Sequence, residues 1–243
     1  GNYKLAIENY QKAIRLSPSS ADAYNNLGVT YLKIGDAISA ITSFKKATQL
    51  QPGHADAYNN LGNCMGHISN YQDARTLYKK AIQLSPKFSN AFNNLGTSLR
   101  KIGHMDDAIN HYNRAIELEP QNPIPYNNLG SIYADLGRHS LAISNFNEAI
   151  SLSPIYDEAY ANLGNSLNVF QKFNEALKFH HKAILLNPNN SNSYFNLAVC
   201  LKTSGEKEAA VKGFSLAVIT NPLNDSAMHV LDSMRGKLTK TAP

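Results

Sequence analysis

One asparagine recurs at a fixed spacing through most of the chain. It stands at every 34th position, as Asn26, Asn60, Asn94, Asn128, Asn162 and Asn196. A carboxamide carries one acceptor oxygen and two N–H donors, so it can bond to both the N–H and the C=O groups of a peptide backbone. Each neutral hydrogen bond contributes only about 0.5–1.5 kcal/mol. A regular row of such amides would therefore hold an extended polypeptide with modest affinity and little regard to its side chains.

Five further polar residues stand at helical spacing from this asparagine row. Asp22, Asp56 and Glu158 precede a row asparagine by four positions, and Asn63 and Asn165 follow one by three. Residues three or four apart lie on the same side of a helix, so we expect them to share a groove with the row. Carboxylates in that groove would favour ligands with basic or hydroxyl-bearing side chains. Together with the row, these five residues make up the predicted peptide-binding site.

The recurrence of asparagine in the row is not explained by helix propensity, because asparagine is a mediocre helix former. Three interpretations remain open. The amides bind the backbone of a partner, they are solvated copies left by tandem duplication, or they bond to one another within the chain. The position before the row drifts, from Asn25 to Ala161 and Phe195, whereas the row itself does not. This difference favours the first interpretation.

The positions that must hold the row in place follow the same 34-residue step. Alanine recurs in two columns, which begin at Ala6 and Ala13. An aromatic column runs from Tyr10 to Phe214 and is interrupted by His180, which we interpret as a partly buried imidazole with its hydrogen bonds satisfied. A proline column separates the units and comprises Pro18, Pro52, Pro86, Pro120, Pro154, Pro188 and Pro222.

Within each unit, apolar residues fall at the spacing of two helices separated by a turn. A tight turn favours a residue that is free to adopt positive φ, and the turn positions include Gly35, Gly103, Gly137 and Gly205. The proline of the column ends the second helix. Because a single hairpin cannot bury its apolar face, neighbouring hairpins must stack. The sequence therefore predicts an all-α chain of stacked helical hairpins.

These columns resemble those of the tetratricopeptide repeat (TPR) family, which has a 34-residue period. The resemblance covers residues 1–224 and implies a TPR solenoid, a right-handed superhelix of antiparallel helical hairpins whose first helices line the concave side. We assign residues 1–20 to the second helix of a truncated unit and residues 21–224 to six complete units. Residues 225–236 form the predicted C-terminal capping helix, and residues 237–243 form a linker or tail.

The asparagine row resembles the asparagine ladder in the repeat domain of O-linked N-acetylglucosamine transferases, which binds substrate peptides. The resemblance implies a protein–protein interaction scaffold, not an enzyme, whose partner is a protein or peptide ligand in the concave groove. Two alternatives remain. The repeats are the substrate-recruiting arm of a larger glycosyltransferase or methyltransferase whose catalytic domain lies outside this piece, or they self-associate into a homo-oligomer through the exposed ends of the array.

Composition argues against several other functions. The net charge of +5 comes from scattered Lys and Arg, so no nucleic-acid partner is predicted. No apolar run reaches the ~18 residues of a membrane span, so no membrane partner is predicted. The histidines lack metal-ligand spacing, and we predict no catalytic residue, metal site or cofactor. Cys64 and Cys200 stand at equivalent places of different units. We interpret them as buried thiols of a protein in the cytoplasm or another reducing compartment.

Overall fold

The computed structural model describes residues 2–238, and for residues 235–238 it describes the backbone only. Every element in this part of the chain is an α-helix. The helices are α1 (Tyr3–Leu16), α2 (Ala21–Lys33), α3 (Ala37–Leu50), α4 (Ala55–His67), α5 (Tyr71–Leu84), α6 (Ser89–Lys101), α7 (Met105–Leu118), α8 (Pro123–Asp135), α9 (His139–Leu152), α10 (Asp157–Val169), α11 (Phe173–Leu186), α12 (Ser191–Thr203), α13 (Lys207–Thr220) and α14 (Asp225–Leu238).

The chain divides into two compact units, residues 1–120 and residues 121–243. Unit 1 contains α1–α7 and unit 2 contains α8–α14. In each unit every helix packs against the next one along the chain. The first helices of neighbouring hairpins also contact one another, α2 with α4 and α4 with α6 in unit 1, and α8 with α10 and α10 with α12 in unit 2. This all-α stack of helical hairpins confirms the predicted fold class.

The two helices of a hairpin meet where a glycine on the first faces an aromatic ring on the second. A Cβ atom built on Gly62 would lie 2.6 Å from Cε1 of Tyr78, and one built on Gly28 would lie 2.7 Å from Cε1 of Phe44. Both distances are shorter than carbon–carbon contacts allow. Glycine at this position therefore lets the two helix backbones approach closely while the ring fills the space between them.

In the last hairpin the glycine of the contact lies on the second helix instead of the first. Ala198 of α12 stands where the other first helices have glycine. Gly213 of α13 lies against it, and a Cβ atom built on Gly213 would be 2.9 Å from the Cβ of Ala198. The methyl group of Ala198 is thus accommodated because its neighbour on the second helix has no side chain.

His180 occupies the aromatic column on α11 and is fully buried. Its Cε1 would lie 2.6 Å from a Cβ atom built on Gly164, so the imidazole fills the place that Tyr78 fills in unit 1. Neither Nδ1 nor Nε2 has a hydrogen-bond partner among the described residues. The expectation of a partly buried, satisfied imidazole is therefore wrong, because the column position is apolar. Burial, with a smaller contribution from His181, lowers the pKa of His180 to about 4.

The turn inside each hairpin contains one residue with positive φ. In four hairpins this residue is a glycine, as predicted, at Gly35, Gly103, Gly137 and Gly205. In two others it is Ser69, with φ of 61°, and Gln171, with φ of 58°. A residue with a Cβ atom is disfavoured in this left-handed region, so these two turns are locally less stable than the glycine turns.

Replacing Ser69 or Gln171 with glycine is expected to raise the free energy of unfolding by up to about 1 kcal/mol, since glycine adopts this conformation without steric cost. Part of the gain is offset by the greater freedom of glycine in the unfolded chain. Urea unfolding followed by circular dichroism measures the change. Gly103→Ala is the matched control and should lower stability. Equal stability of all three variants would contradict the prediction.

The two ends of the described chain pack differently. α1 contacts α2 but contains no fully buried residue. α14 packs on α13 and buries Ala227 and Leu231. This helix continues to Leu238, beyond residue 236 where the capping helix was predicted to end. Residues 239–243, the remainder of the predicted tail, lie outside the described residues.

Both cysteines are free thiols buried inside their units. Burial raises the pKa of Cys64 to about 11 and also raises the pKa of Cys200. The two thiols therefore stay protonated at neutral pH and pack as small apolar side chains, as the sequence indicated. The compartment inferred from them remains a prediction.

Candidate functional site

The asparagine row of unit 1 is tied to the preceding helix by side-chain hydrogen bonds, which we call links. Nδ2 of Asn60 on α4 donates to Oδ1 of Asn25 on α2 at 3.0 Å. Nδ2 of Asn94 on α6 donates to Oδ1 of Asn59 on α4 at 3.0 Å. The acceptors are buried, whereas the two donors are half-buried. Asn26, the first member of the row, is exposed.

Unit 2 contains one such link, made by Asn162, whereas Asn196 makes none. Nδ2 of Asn162 on α10 donates to Oδ1 of Asn127 on α8 at 3.0 Å. Asn127 is fully buried and donates its own Nδ2 to the hydroxyl of Tyr156 at 3.2 Å. Asn196 on α12 would need an acceptor at Ala161, which has none. The half-buried Asn196 therefore makes no link.

The links determine which groups the row can present to a ligand. Asn94 donates a second hydrogen bond to Oδ1 of Asn63 at 3.0 Å, and Asn162 a second one to Oγ of Ser131 at 3.5 Å. Both N–H groups of these two amides are therefore used within the chain, and only their carbonyl oxygens can serve a ligand. Asn60 keeps one N–H group. The expectation that every row amide can both donate to a ligand and accept from it is therefore wrong for Asn94 and Asn162.

The links also give a physical reason for Phe195 at the position before the row, but not for Ala161, which stands 35 residues before the row amide Asn196. Each linked acceptor serves the row amide 35 residues later in the chain. Phe195 has Val230 at that distance and so has no row amide to accept from. The third interpretation, an intramolecular ladder, therefore describes part of the row, and it leaves the oxygens of Asn60 and Asn162 without a donor among the described residues.

The predicted carboxylates lie at the N-terminal ends of first helices, where Asp22 and Asp56 are exposed and Glu158 is on the first turn of α10. Oδ1 of Asp22 is 3.2 Å from Nε2 of His54, whose side chain caps α4. This carboxylate thus also joins α2 to α4. No described residue forms an ion pair with Asp56 or Glu158, so these two carboxylates remain available to a ligand.

Among the remaining predicted residues, the structure brings Asn63 together with Asn94, whereas Asn165 is exposed on α10 and Asn128 is half-buried on α8. Oδ1 of Asn63 also accepts a hydrogen bond from the hydroxyl of Tyr78 at 2.8 Å. Burial raises the pKa of Tyr78, so its hydroxyl stays protonated and keeps donating. Two donors on one oxygen fix the orientation of the Asn63 amide.

A pocket of about 450 Å³ opens beside this network in unit 1. Both Asn63 and Asn94 line it, and no carboxylate does. The sequence analysis did not identify a histidine and a lysine that line the pocket. Each stands seven positions after a row asparagine and therefore on the same helix face. Those residues are His67 and Lys101, and the pocket is also lined by Leu32 and Tyr71.

Neither a metal centre nor a membrane span occurs in the part of the chain that the structure describes. Those residues contain no group of three or more His, Cys, Asp or Glu side chains placed to hold a metal ion. None of the described helices is long and apolar enough to cross a membrane.

Three family models match the sequence. The model described as TPR repeat matches residues 1–35, 97–137 and 130–167. One described as tetratricopeptide repeat matches residues 19–87, and another with that description matches residues 77–110 and 182–212. Together they account for most of the chain. No curated protein matches it.

Solved structures resemble this fold at low sequence identity. A chain in the crystal structure of the APC/C hetero-tetramer Cut9–Hcn1 has a TM-score of 0.88 and 18% identity over 96% of this chain, which spans 46% of that one. MamA has a TM-score of 0.56 and 30% identity over 63% of this chain and 90% of its own. YrrB, described as a TPR protein with an unusual peptide-binding site, has a TM-score of 0.55 and 21% identity over 79% of this chain and 98% of its own. With its 34-residue period, its stacked hairpins and its three matching models, the chain belongs to the tetratricopeptide repeat family.

Proposed function

We propose that the chain is a protein-interaction scaffold that binds an extended polypeptide across its first helices, along the asparagine row. The observation that carries the proposal is the fixed orientation of the row amides. Links to the preceding helix hold Asn60 and Asn162 so that their carbonyl oxygens have no donor among the described residues. The similar fold of YrrB, a TPR protein with a peptide-binding site, supports the same kind of ligand.

An extended peptide would bond to the row through its backbone. Within unit 1, a peptide N–H group donates to the oxygen of Asn60. Within unit 2, a peptide N–H group donates to the oxygen of Asn162, and the free amide nitrogen of Asn196 donates to a peptide carbonyl. Because the links orient the side chains before the ligand arrives, binding loses little of their rotamer entropy. Each neutral bond contributes about 0.5–1.5 kcal/mol, so useful affinity requires several hairpins at once. The carboxylates of Asp56 and Glu158 add a preference for basic or hydroxyl-bearing side chains.

Substitution of Asn196 and of Asn94 by alanine is expected to separate binding from stability. Asn196 makes no link, and alanine is the better helix former, so its loss should not lower the melting temperature. It should weaken peptide binding about 2- to 10-fold, the effect of one neutral hydrogen bond. Asn94→Ala removes the two hydrogen bonds that Asn94 donates and the one that it accepts from Asn93, and it leaves the buried oxygen of Asn59 unpaired. This variant should also lower the free energy of unfolding by about 1–3 kcal/mol.

The binding probe is a labelled dodecapeptide selected from a random library on the wild-type chain, and fluorescence anisotropy gives its Kd. Thermal unfolding followed by circular dichroism gives the stability. Asn113→Ala is the control, since Asn113 is exposed on the second helix α7. Two results would count against the proposal: a library that yields no binding peptide, or an Asn196→Ala chain with wild-type affinity.

The two alternatives from the sequence predict different outcomes. If the repeats recruit substrates for a transferase, the reading frame of the gene continues into a catalytic domain, which its nucleotide sequence would reveal. If the array self-associates, light scattering over a concentration series should show a mass that rises above that of one chain.

A further inference from the structure

The pocket of unit 1 contains hydrogen-bond donors that the chain itself does not use. Asn63 accepts from both Tyr78 and Asn94 through one oxygen, which turns its Nδ2 group away from those two residues. No described residue accepts a hydrogen bond from this Nδ2 group. Lys101 and His67 line the same pocket, and both residues are exposed.

These groups select for an acceptor that carries negative charge. Lys101 is positively charged at neutral pH, the Asn63 amide presents only N–H groups, and none of the lining residues is a carboxylate. A cationic ligand group would meet no acidic partner here, and it would face the charge of Lys101 directly. Hydrogen bonds between charged donors and carboxylates are stronger than neutral ones, so an anion is the favoured occupant.

The walls of the pocket add a requirement for an apolar stem. Leu32 on α2 and Tyr71 on α5 line it together with the polar residues. A ligand group that fits both has a few methylene groups ending in a carboxylate. Such a group packs its methylenes on Leu32 and Tyr71 while its oxygens reach Asn63 and Lys101.

We propose that this pocket binds the side-chain carboxylate of a glutamate in the bound peptide. The inference rests on the proposed function, because the peptide backbone is held on the asparagine row beside the pocket. It assigns unit 1 a preference for an acidic residue at one place of the ligand, opposite in sign to the preference proposed from Asp56 and Glu158. His67 and Lys101 thereby become specificity-determining residues.

The test uses dodecapeptides with acetylated N-termini and amidated C-termini, so that every carboxylate belongs to a side chain. Starting from the peptide selected on the wild-type chain, glutamate is moved along the sequence and compared at each place with glutamine. One position of glutamate is expected to bind about 3- to 10-fold more tightly than its glutamine counterpart. A glutamine peptide with a free C-terminal carboxylate forms a further arm and should show no gain.

Three variants of the full chain assign the effect to the pocket. Lys101→Met should abolish the difference between the glutamate and glutamine peptides and leave the glutamine peptide unaffected. Asn63→Asp keeps oxygens for Tyr78 and Asn94 but replaces the free donor with negative charge, so it should make the glutamate peptide the weaker of the two. Lys33→Met is the matched control, since Lys33 holds the position equivalent to Lys101 on α2 and does not line the pocket.

The outcomes distinguish the inference from the proposed function. Binding of the selected peptide without any glutamate preference overturns the inference alone, as does a preference that survives Lys101→Met. A gain confined to the free C-terminal carboxylate also overturns it, because the occupant would then be a chain end. If no peptide binds in any arm, both the proposed function and the inference fail.

Discussion

Gly62→Ala is expected to lower the free energy of unfolding by about 1–3 kcal/mol, the usual cost of adding a methylene to a well-packed core. The new Cβ would lie 2.6 Å from Cε1 and 2.9 Å from Cδ1 of the Tyr78 ring, so the ring or the helix must move. The ring cannot swing away freely, because its hydroxyl donates to Asn63 and its body is buried. Urea unfolding of the full chain, followed by circular dichroism, measures the loss.

The same substitution four residues later is the matched control. A Cβ atom on Gly66 would find the hydroxyl of Tyr78 at 3.8 Å, an ordinary contact distance. Gly66 lies inside α4 as well, so Gly66→Ala should raise the free energy of unfolding by about 0.5–1 kcal/mol through its better helix propensity. Two variants that shift stability in the same direction would show that the contact with Tyr78 does not matter.

Lowering the pH from 7 to 4 is expected to destabilise the chain by roughly 3 kcal/mol through His180 alone. Its pKa is about 4 in the folded state, against about 6.5 in the unfolded chain. The unfolded chain therefore takes up a proton below pH 6.5 that the folded chain refuses. This contribution to stability is complete above pH 6.5 and declines as the pH falls towards 4.

His180→Phe should remove that pH dependence, because phenylalanine does not titrate and already fills the column at Phe146 and Phe214. The variant should also be more stable at pH 7 by about 1–3 kcal/mol, since it removes two buried nitrogens that lack partners. Urea unfolding at several pH values gives both effects as differences from the wild-type chain. His229→Gln is the control, at an exposed histidine on α14. A His180→Phe chain whose stability falls with pH as steeply as the wild-type chain would refute the assignment.

The sequence predicts the hairpins well because their packing is local and repeated. Gly62 and Tyr78 stand 16 positions apart in a unit whose period is visible in every copy, so their contact follows from the helix lengths and the turn. The positive φ at Gly35 follows from the same reasoning. Both belong to the backbone and to apolar contacts, which a periodic pattern specifies directly.

The hydrogen bonds of the site are harder to predict, because they depend on the orientation of amides between two hairpins. Asn25 and Asn26 are the same residue type at adjacent positions, yet one is buried as an acceptor and the other is exposed. Whether Asn60 reaches Asn25 depends on how α4 packs against α2, which belongs to a different hairpin. A signal was nevertheless present: the position before the row drifts to Phe195 where no later asparagine needs an acceptor.

Residues that differ from the rest of their column were also predicted poorly. Histidine is a polar residue type, so the sequence suggested that His180 has its hydrogen bonds satisfied. Its environment is nevertheless the apolar one that every residue of the aromatic column occupies. The pocket was missed for a related reason. Lys101 and His67 vary in type from copy to copy, so no repeated pattern draws attention to them, although their spacing from the row is constant.

The links between asparagines have a mechanical consequence. Each one joins residues 35 positions apart, and so connects two hairpins rather than the helices of one. Bending a unit changes the separation of Asn60 from Asn25, and this stretches the bond that orients the Asn60 oxygen. The curvature of each unit and the orientation of its hydrogen-bond acceptors are thereby coupled. A partner that flattens or tightens the stack therefore also changes the strength of its own hydrogen bonds to the row.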